Sequence, residues 1–357
     1  MKIVAIENYP TKQRGGSEKA YFEVLIALKN VGHEIALAYC QKGDLVDDYE
    51  KEGIKTFNIE STNIQNWFSL SSYKKIKESL NHIIKQKPDI LYINYLSDTP
   101  LAAILKVFYN IPAVCHIRVP FKGKSKQFSF SAKFINAFIV LNHKMKNEYE
   151  HKESLKNVYT VNDGILVPYE TFNSVKKTKA IYLGRISPEK GIIELIKVWQ
   201  ILRDKYQINY PLDIVGPAYS TQEKIHADEI TKLILEKQLD HIKILSSTIN
   251  PIKTLSEYHF AVMPSTVEES FGRVLPEAIL ANTPIFARNI GITSEILHPQ
   301  KELLIFDSEE ELAQKISLLL DNKLHINMEI LKAHILKNYN VENNCKQIEA
   351  LLLQNLN

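Results

Sequence analysis

An order of segments restricts this chain more than any composition does: an apolar run, a glycine-marked loop, an amphipathic helix, then a second apolar run. Lys2-Ile3-Val4-Ala5-Ile6 reads as a buried strand, and the turn-rich loop Asn8 to Arg14 ends at Gly15-Gly16-Ser17-Glu18. From about Ser17 to Val31 the residues Ala20, Tyr21, Val24, Leu25 and Leu28 share one helical face; Gly32 caps that helix, and Glu34–Tyr39 is the next strand. Such a unit lays its strands side by side and parallel in a doubly wound sheet. The alternation continues with a helix over Tyr73–Lys87 (apolar face Ile76, Leu80, Ile83, Ile84), broken by Pro88, and a strand over Asp89–Asn94. A helix near Leu101–Tyr109 and strands at Ala113–His116, Ala137–Leu141 and Val158–Val161 follow. The polar stretch Val167 to Lys179, with Pro168, reads as a linker. At 357 residues the chain is comfortable for two such domains, and no internal sequence repeat is present.

The second half restarts with a strand from Ala180 that ends at Gly184, followed by Arg185-Ile186-Ser187-Pro188-Glu189-Lys190-Gly191 and a helix over Ile192–Lys205. Arg grips phosphate oxygens bidentately and Lys supplies a point charge. Strands Leu212–Val215, Ile242–Leu245 and Thr283–Ala287 and helices Thr221–Lys237, Ser308–Asp321, Leu324–Asn338 and Val341–Gln354 complete the pattern. Within it, the buried run Phe260–Met263 leads into Pro264-Ser265-Thr266-Val267-Glu268-Glu269-Ser270-Phe271-Gly272-Arg273-Val274-Leu275-Pro276-Glu277, where Pro276 suits the first turn of a helix. The free N–H groups of that helix start suit an anion. Bare carboxylates beside a phosphate would repel it, so Glu269 and Glu277 make more sense as acceptors for ligand hydroxyls. A ligand with hydroxyls at both ends and phosphates between is a nucleotide-sugar. The bland alternative is an exposed loop glutamate plus a first-turn glutamate favoured by the helix dipole.

Glu269 and Glu277, spaced around Phe271-Gly272, resemble the double-glutamate signature of the retaining glycosyltransferases of family 4. Gly184-Arg185…Glu189-Lys190-Gly191 resembles that family's Gly-Arg…Glu-Lys-Gly motif. The resemblance implies the GT-B fold, two Rossmann-like doubly wound domains facing across a cleft. It implies an acceptor-side domain over 1–165, a donor-nucleotide domain over 166–340, and a helix over 341–357 crossing back to the first. It also implies catalytic roles for His116, Arg185, Lys190 and Glu269, with Arg185 and Lys190 on the donor diphosphate and His116 near the reacting carbon. Donor contacts are expected from Gly15, Gly16, Gly184, Ser270, Phe271, Gly272, Arg273, Val274 and Glu277, and weaker acceptor contacts from Arg118 and Glu18. The resemblance is loose over the first half: Asn162-Asp163-Gly164-Ile165 alters the family's junction order. Ser246-Ser247-Thr248 replaces a glycine expected where the nucleobase is framed. Retention of configuration follows from the resemblance, with the leaving phosphate as base and no cofactor. No Asp-x-Asp motif occurs, so no metal is expected. The expected donor is a UDP-sugar and the acceptor a polysaccharide or lipid-linked saccharide. Two alternatives remain: a hydrolysing sugar-nucleotide epimerase of the same fold, and a non-catalytic nucleotide-sugar-binding subunit.

Several classes are disfavoured. The full G-x-G-x-x-G fingerprint of nicotinamide binding is missing. No apolar run approaches a membrane span, and no signal peptide is read at the start. Cys40, Cys115 and Cys345 lack metal-ligand spacing and read as reduced thiols of a cytoplasmic protein. The net charge of +3 hides an asymmetry, basic over residues 1–165 and acidic beyond. Lys74, Lys75, Lys77, Lys85, Lys87, Lys122, Lys124 and Lys126 form either a solvated face or a surface for anionic lipid on the inner face of the cell membrane. Nucleic acid is disfavoured because no binding motif accompanies the charge.

Overall fold

The computed structural model describes residues 1–12, 15–63, 69–118, 126–151, 154–167 and 177–356. Arg14, Pro168, Lys122 and Lys124 lie outside them, as does most of the polar stretch read as a linker; for Lys126 only the backbone is described. The chain divides into two compact units, residues 1–166 with 340–357, and residues 167–339.

Unit 1 is built on seven strands: β1 (Lys2–Ile6), β2 (Glu34–Tyr39), β3 (Lys55–Asn58), β4 (Ile90–Ile93), β5 (Ala113–Ile117), β6 (Ala137–Val140) and β7 (Val158–Thr160). They lie in the order β3-β2-β1-β4-β5-β6-β7, every pair parallel, with Ile3 opposite both Ile35 and Ile90. The strand order reverses between β1 and β4, the place where ligands meet a doubly wound sheet. The central strands carry apolar side chains on both faces because helices cover both. Helix Gly16–Asn30 buries Tyr21, Val24, Leu25 and Leu28 against the sheet. The segment after unit 2 rejoins this core. Helix Val341–Gln354 places Val341, Cys345, Ile348, Leu351 and Leu352 in the same apolar cluster, and His33 Nε2 meets Glu349 Oε1 at 2.7 Å. At the junction Val341 N–H donates to Ile165 O (3.3 Å) and the Asn344 amide to Asn162 O (2.6 Å). Gly164 is needed there, since a Cβ would lie 2.3 Å from Val341 Cα.

Unit 2 has six parallel strands: β8 (Ala180–Leu183), β9 (Leu212–Val215), β10 (Ile242–Leu245), β11 (Phe260–Met263), β12 (Ile285–Arg288) and β13 (Ile305–Phe306), in the order β10-β9-β8-β11-β12-β13. Its reversal falls between β8 and β11. The core is aromatic, with Trp199 on helix Ile192–Tyr206 beside Phe260, which in turn meets Phe286. Trp199 satisfies its indole N–H on Tyr210 O at 2.7 Å.

Three local expectations shift. The strand expected from Thr283 begins at Ile285, because the Thr283 hydroxyl donates to Leu255 O (2.7 Å) and holds the chain in a loop. The helix expected from Leu324 begins at Met328, where the Asn327 side chain caps Glu329 N–H and Ile330 N–H. Strand β3 and the short helix Val46–Lys51 form where no element was expected.

Candidate active site

In unit 2 the residues singled out by sequence gather at the carboxyl ends of β8 and β11. Strand β8 runs out at Leu183, and Gly184-Arg185 begins a loop that closes in the turn Pro188–Lys190. That turn is locked to the chain leaving β11: Glu189 O accepts from Thr266 N–H (3.0 Å) and Thr266 Oγ1 (3.1 Å). Gly191 has φ +70° and comes so close to the β11 exit that a Cβ would be 2.1 Å from Pro264 O, so only glycine fits. Helix Ile192–Tyr206 starts from it.

The lock brings Lys190 and Glu269 together as a hydrogen-bonded ion pair, with the Ser265 hydroxyl donating to the same Glu269 oxygen at 2.9 Å. Arg185, 40% exposed, is held on the same loop: its Nη2 meets Glu189 Oε1 at 3.0 Å and its Nε meets Glu223 Oε1 at 3.3 Å. Burial opposes ionisation of Glu189, but its own backbone N–H and the Arg185 cation hold its carboxyl below the ordinary value. Burial, followed by the Glu269 carboxylate, pushes the Tyr182 phenol up, and its hydroxyl donates to Arg185 O (2.7 Å).

Beyond Glu269 the chain turns at Gly272 into helix Val274–Leu280. Arg273 and Glu277 face each other on it at 3.6 Å, both nearly buried. Phe271 is buried with its ring 5.8 Å from that of Tyr339, while Ser270 and Val274 are half-buried.

The unit 1 candidates form a separate network. Gly15 precedes the first residue of helix Gly16–Asn30, Gly16, and both are exposed. Glu18 is buried in its first turn, accepting from Tyr95 Oη (2.8 Å) and Ser17 Oγ (2.6 Å). His116 and Arg118 are buried at the end of β5. Arg118 donates from Nε to Asp163 (2.9 Å) and from Nη1 to Asn94 Oδ1 (2.6 Å), and its guanidinium lies 5.3 Å from the Tyr21 ring centroid. Burial opposes the cation, yet Asp163 and Tyr92 raise the Arg118 pKa, so it stays charged. Among the described residues Arg118 is buried, and these contacts all lie within unit 1.

Burial, with Arg118 beside it, holds the His116 imidazole well below its ordinary pKa, so the ring is neutral. Tyr92 Oη is 2.7 Å from His116 Nδ1 and 3.5 Å from Arg118 Nη2. The hydroxyl can accept from the arginine and still either donate to Nδ1 or accept from it, according to the tautomer of His116. The other ring nitrogen, Nε2, is buried without a hydrogen-bond partner among the described residues.

Glu7, Asn94, Tyr92 and Asp163 in unit 1, and Glu189, Glu223 and Ser265 in unit 2, had no role of their own in the sequence analysis. Glu7 and Asn94 could have been found, because each directly follows a strand at the reversal point, β1 and β4. The Asn94 amide donates to Glu7 Oε2 at 2.7 Å, and burial, then Glu18, raises the Glu7 carboxyl well above its ordinary pKa. Among the described residues no group of three or more His, Cys, Asp or Glu side chains is gathered to hold a metal ion.

Residues 170–340, nearly the whole of unit 2, match the model of the family described as glycosyl transferases group 1. The second unit is a group 1 glycosyl transferase domain. Over 125 residues the chain is 34% identical to the lipopolysaccharide 1,2-N-acetylglucosaminetransferase of Salmonella typhimurium, a match covering 34% of this chain and 32% of that relative. Across 353 residues it is 23% identical to the capsular polysaccharide biosynthesis glycosyltransferase CapH of Staphylococcus aureus, covering 91% of this chain and 92% of CapH. Anabaena HepE, solved in complex with UDP and glucose, superposes with a TM-score of 0.82 at 17% identity, over 99% of this chain and all of HepE. The two doubly wound units therefore have the GT-B architecture. The group 1 glycosyl transferase domain supplies Arg185, Lys190, Glu269 and Glu277; His116, Arg118 and Glu18 belong to unit 1.

Proposed function

We propose that the chain is a retaining glycosyltransferase that moves a sugar from a UDP-sugar to a polysaccharide or lipid-linked saccharide in cell-surface glycan biosynthesis. One observation carries this reading. At the strand-order reversal of unit 2, the loop that carries Arg185 and Lys190 is locked to the chain leaving β11, and its Lys190 pairs with Glu269. The relatives' names, a lipopolysaccharide N-acetylglucosaminyl enzyme and a capsular one, support the acceptor class, and the UDP complex of HepE supports the nucleotide.

The chemistry follows from the charges. Breaking the bond between the sugar's anomeric carbon and the diphosphate leaves negative charge on the terminal phosphate. Arg185, Lys190 and the backbone N–H groups around Gly272–Val274 would stabilise that charge without a metal, as fixed groups in a partly desolvated site. Glu269 would turn from Lys190 to the sugar hydroxyls and release the lysine to the phosphate. Glu277 would accept from the ribose. The acceptor oxygen attacks the face the diphosphate leaves, its proton passes to the departing phosphate, and configuration is retained. His116, neutral, would present Nε2 to the sugar.

The experiment is the shift in melting temperature with UDP, GDP and ADP, on the wild type and Glu277→Ala. UDP at about a hundredfold its dissociation constant adds roughly 2.7 kcal/mol of stability. Stabilisation by UDP alone, lost in Glu277→Ala, is expected. A different winning nucleotide sinks the UDP assignment, and no response from any sinks the donor site.

We extend the reading to a membrane surface. Lys74, Lys75, Lys77 and Lys85 are exposed on helix Leu70–Lys85, whose Ile76 and Ile83 are buried. That face would dock the protein on anionic lipid at the inner side of the cell membrane, where lipid-linked acceptors reside. Among the described residues no helix is long and apolar enough to cross a membrane.

A further inference from the structure

We propose that Glu223 is a positioning residue for the donor diphosphate, holding the Arg185 guanidinium by one edge so that the other edge faces the phosphates. The inference rests on the donor-site reading above and assigns it a residue from a different element. Ser220-Thr221-Gln222-Glu223 forms a capping box at the start of helix Thr221–Glu236. Ser220 Oγ accepts from Glu223 N–H at 3.1 Å, and Glu223 Oε2 accepts from Ser220 N–H at 3.0 Å and Tyr219 N–H at 2.7 Å. Capping therefore occupies one carboxylate oxygen fully and fixes the side chain. The other oxygen, Oε1, is left to face Arg185 Nε at 3.3 Å.

A cap alone needs no charge, since glutamine serves the same motif. The charge matters to Arg185. The guanidinium is engaged at Nε by Glu223 and at Nη2 by Glu189, both along one side of the fork, and Nη1 has no partner among the described residues. Glu223 is 11% exposed at its side chain while Arg185 is 40% exposed, so the anchor is buried and the anchored group is open. An arginine that grips phosphate from a flexible stem first loses its rotamer freedom; one held beforehand does not. The backbone hydrogen bonds of a helix start thus set the aim of a phosphate ligand on a neighbouring loop.

Glu223→Gln, Ser220→Ala, Arg185→Ala and the double variant Arg185→Ala/Glu223→Gln are titrated with UDP, GDP and ADP and with the matching monophosphates, and melting temperatures are recorded without ligand. For the diphosphate that binds wild type, Glu223→Gln should weaken affinity about tenfold, the loss of one charge-assisted contact's worth of alignment. Its monophosphate affinity and melting temperature should stay at wild-type values. Ser220→Ala, which removes the cap and leaves Glu223 charged, should melt about 2–4 °C lower with diphosphate affinity intact. In the double variant Glu223→Gln should add nothing to the loss from Arg185→Ala. If Glu223→Gln binds diphosphate as tightly as wild type or more tightly while Arg185→Ala loses it, the proposal is overturned and the donor site stands. Equal loss of monophosphate and diphosphate together with a lower melting temperature also overturns it, marking Glu223 as structural. If wild type binds no nucleotide, the donor-site reading falls and takes this role with it.

Discussion

Asp98 heads the helix Thr99–Tyr109 and is fully buried, with Thr62 Oγ1 donating to its Oδ1 at 2.8 Å and the Asn8 amide donating to the same oxygen. Its Oδ2 has no partner among the described residues, and burial pushes its pKa from 3.8 up to about 6. The folded chain therefore holds this proton more tightly than the unfolded chain does. Stability is lost as pH rises from the unfolded value to the folded one, and the loss is complete above it. A shift of this size corresponds to about 3 kcal/mol. Asp98→Asn removes the titration, so its melting temperature relative to wild type should climb between about pH 4 and about pH 6 and then level off. A difference independent of pH would show that Asp98 titrates at its ordinary value. The same burial explains what a sequence reader misses at this scale. Glu7 and Asn94 betray themselves in one dimension only by following a strand, Asp98 not at all, and the sheet brings the three together. Arg185 and Lys190 were legible because their motif is contiguous. Glu223, separated from Arg185 by a helix and a strand, was not.

At the scale of elements, burial on both faces made a strand visible. Phe260–Met263 and Leu212–Val215 are unbroken apolar or nearly apolar runs, and they form strands with those bounds. Lys55–Asn58 is an edge strand with half-exposed residues, so its Lys-Thr-Phe-Asn string carries no period to read. The helix Val341–Gln354 was visible for the opposite reason: one apolar stripe ending in Leu351 and Leu352. That stripe is seated on helix Gly16–Asn30, and Leu352 is fully buried. Leu352→Ala should cost about 2–5 kcal/mol. Hydrogen exchange should report the loss in amides of β1 and helix Gly16–Asn30 while β8 and β11 stay protected. Equal loosening of both units would show that the helix supports more than the core of unit 1.

For the whole molecule, the doubly wound pair of sheets followed from the order of strands and helices, whereas surface function had to be argued from charge. The basic excess of residues 1–165 is carried in part by exposed Lys74, Lys75 and Lys77. Each basic residue near an anionic bilayer contributes about 1 kcal/mol. Changing these three lysines to Glu should abolish sedimentation with anionic vesicles, with zwitterionic vesicles as the background. Sedimentation equal to wild type would remove the membrane from the reading.

Unit 1 takes its core from both sides of unit 2, with Ile165 and Val341 joined at the seam. A ribosome therefore delivers its parts at two separate times. At about 5–20 residues per second, all of unit 2 intervenes for on the order of ten to thirty seconds. During that wait Tyr21, Leu25 and Leu28 have no Ile348 or Leu352 to cover them. The apolar face of the first helix stays uncovered until the last residues of the chain are made, because the helix that covers it follows the final residue of unit 2 directly.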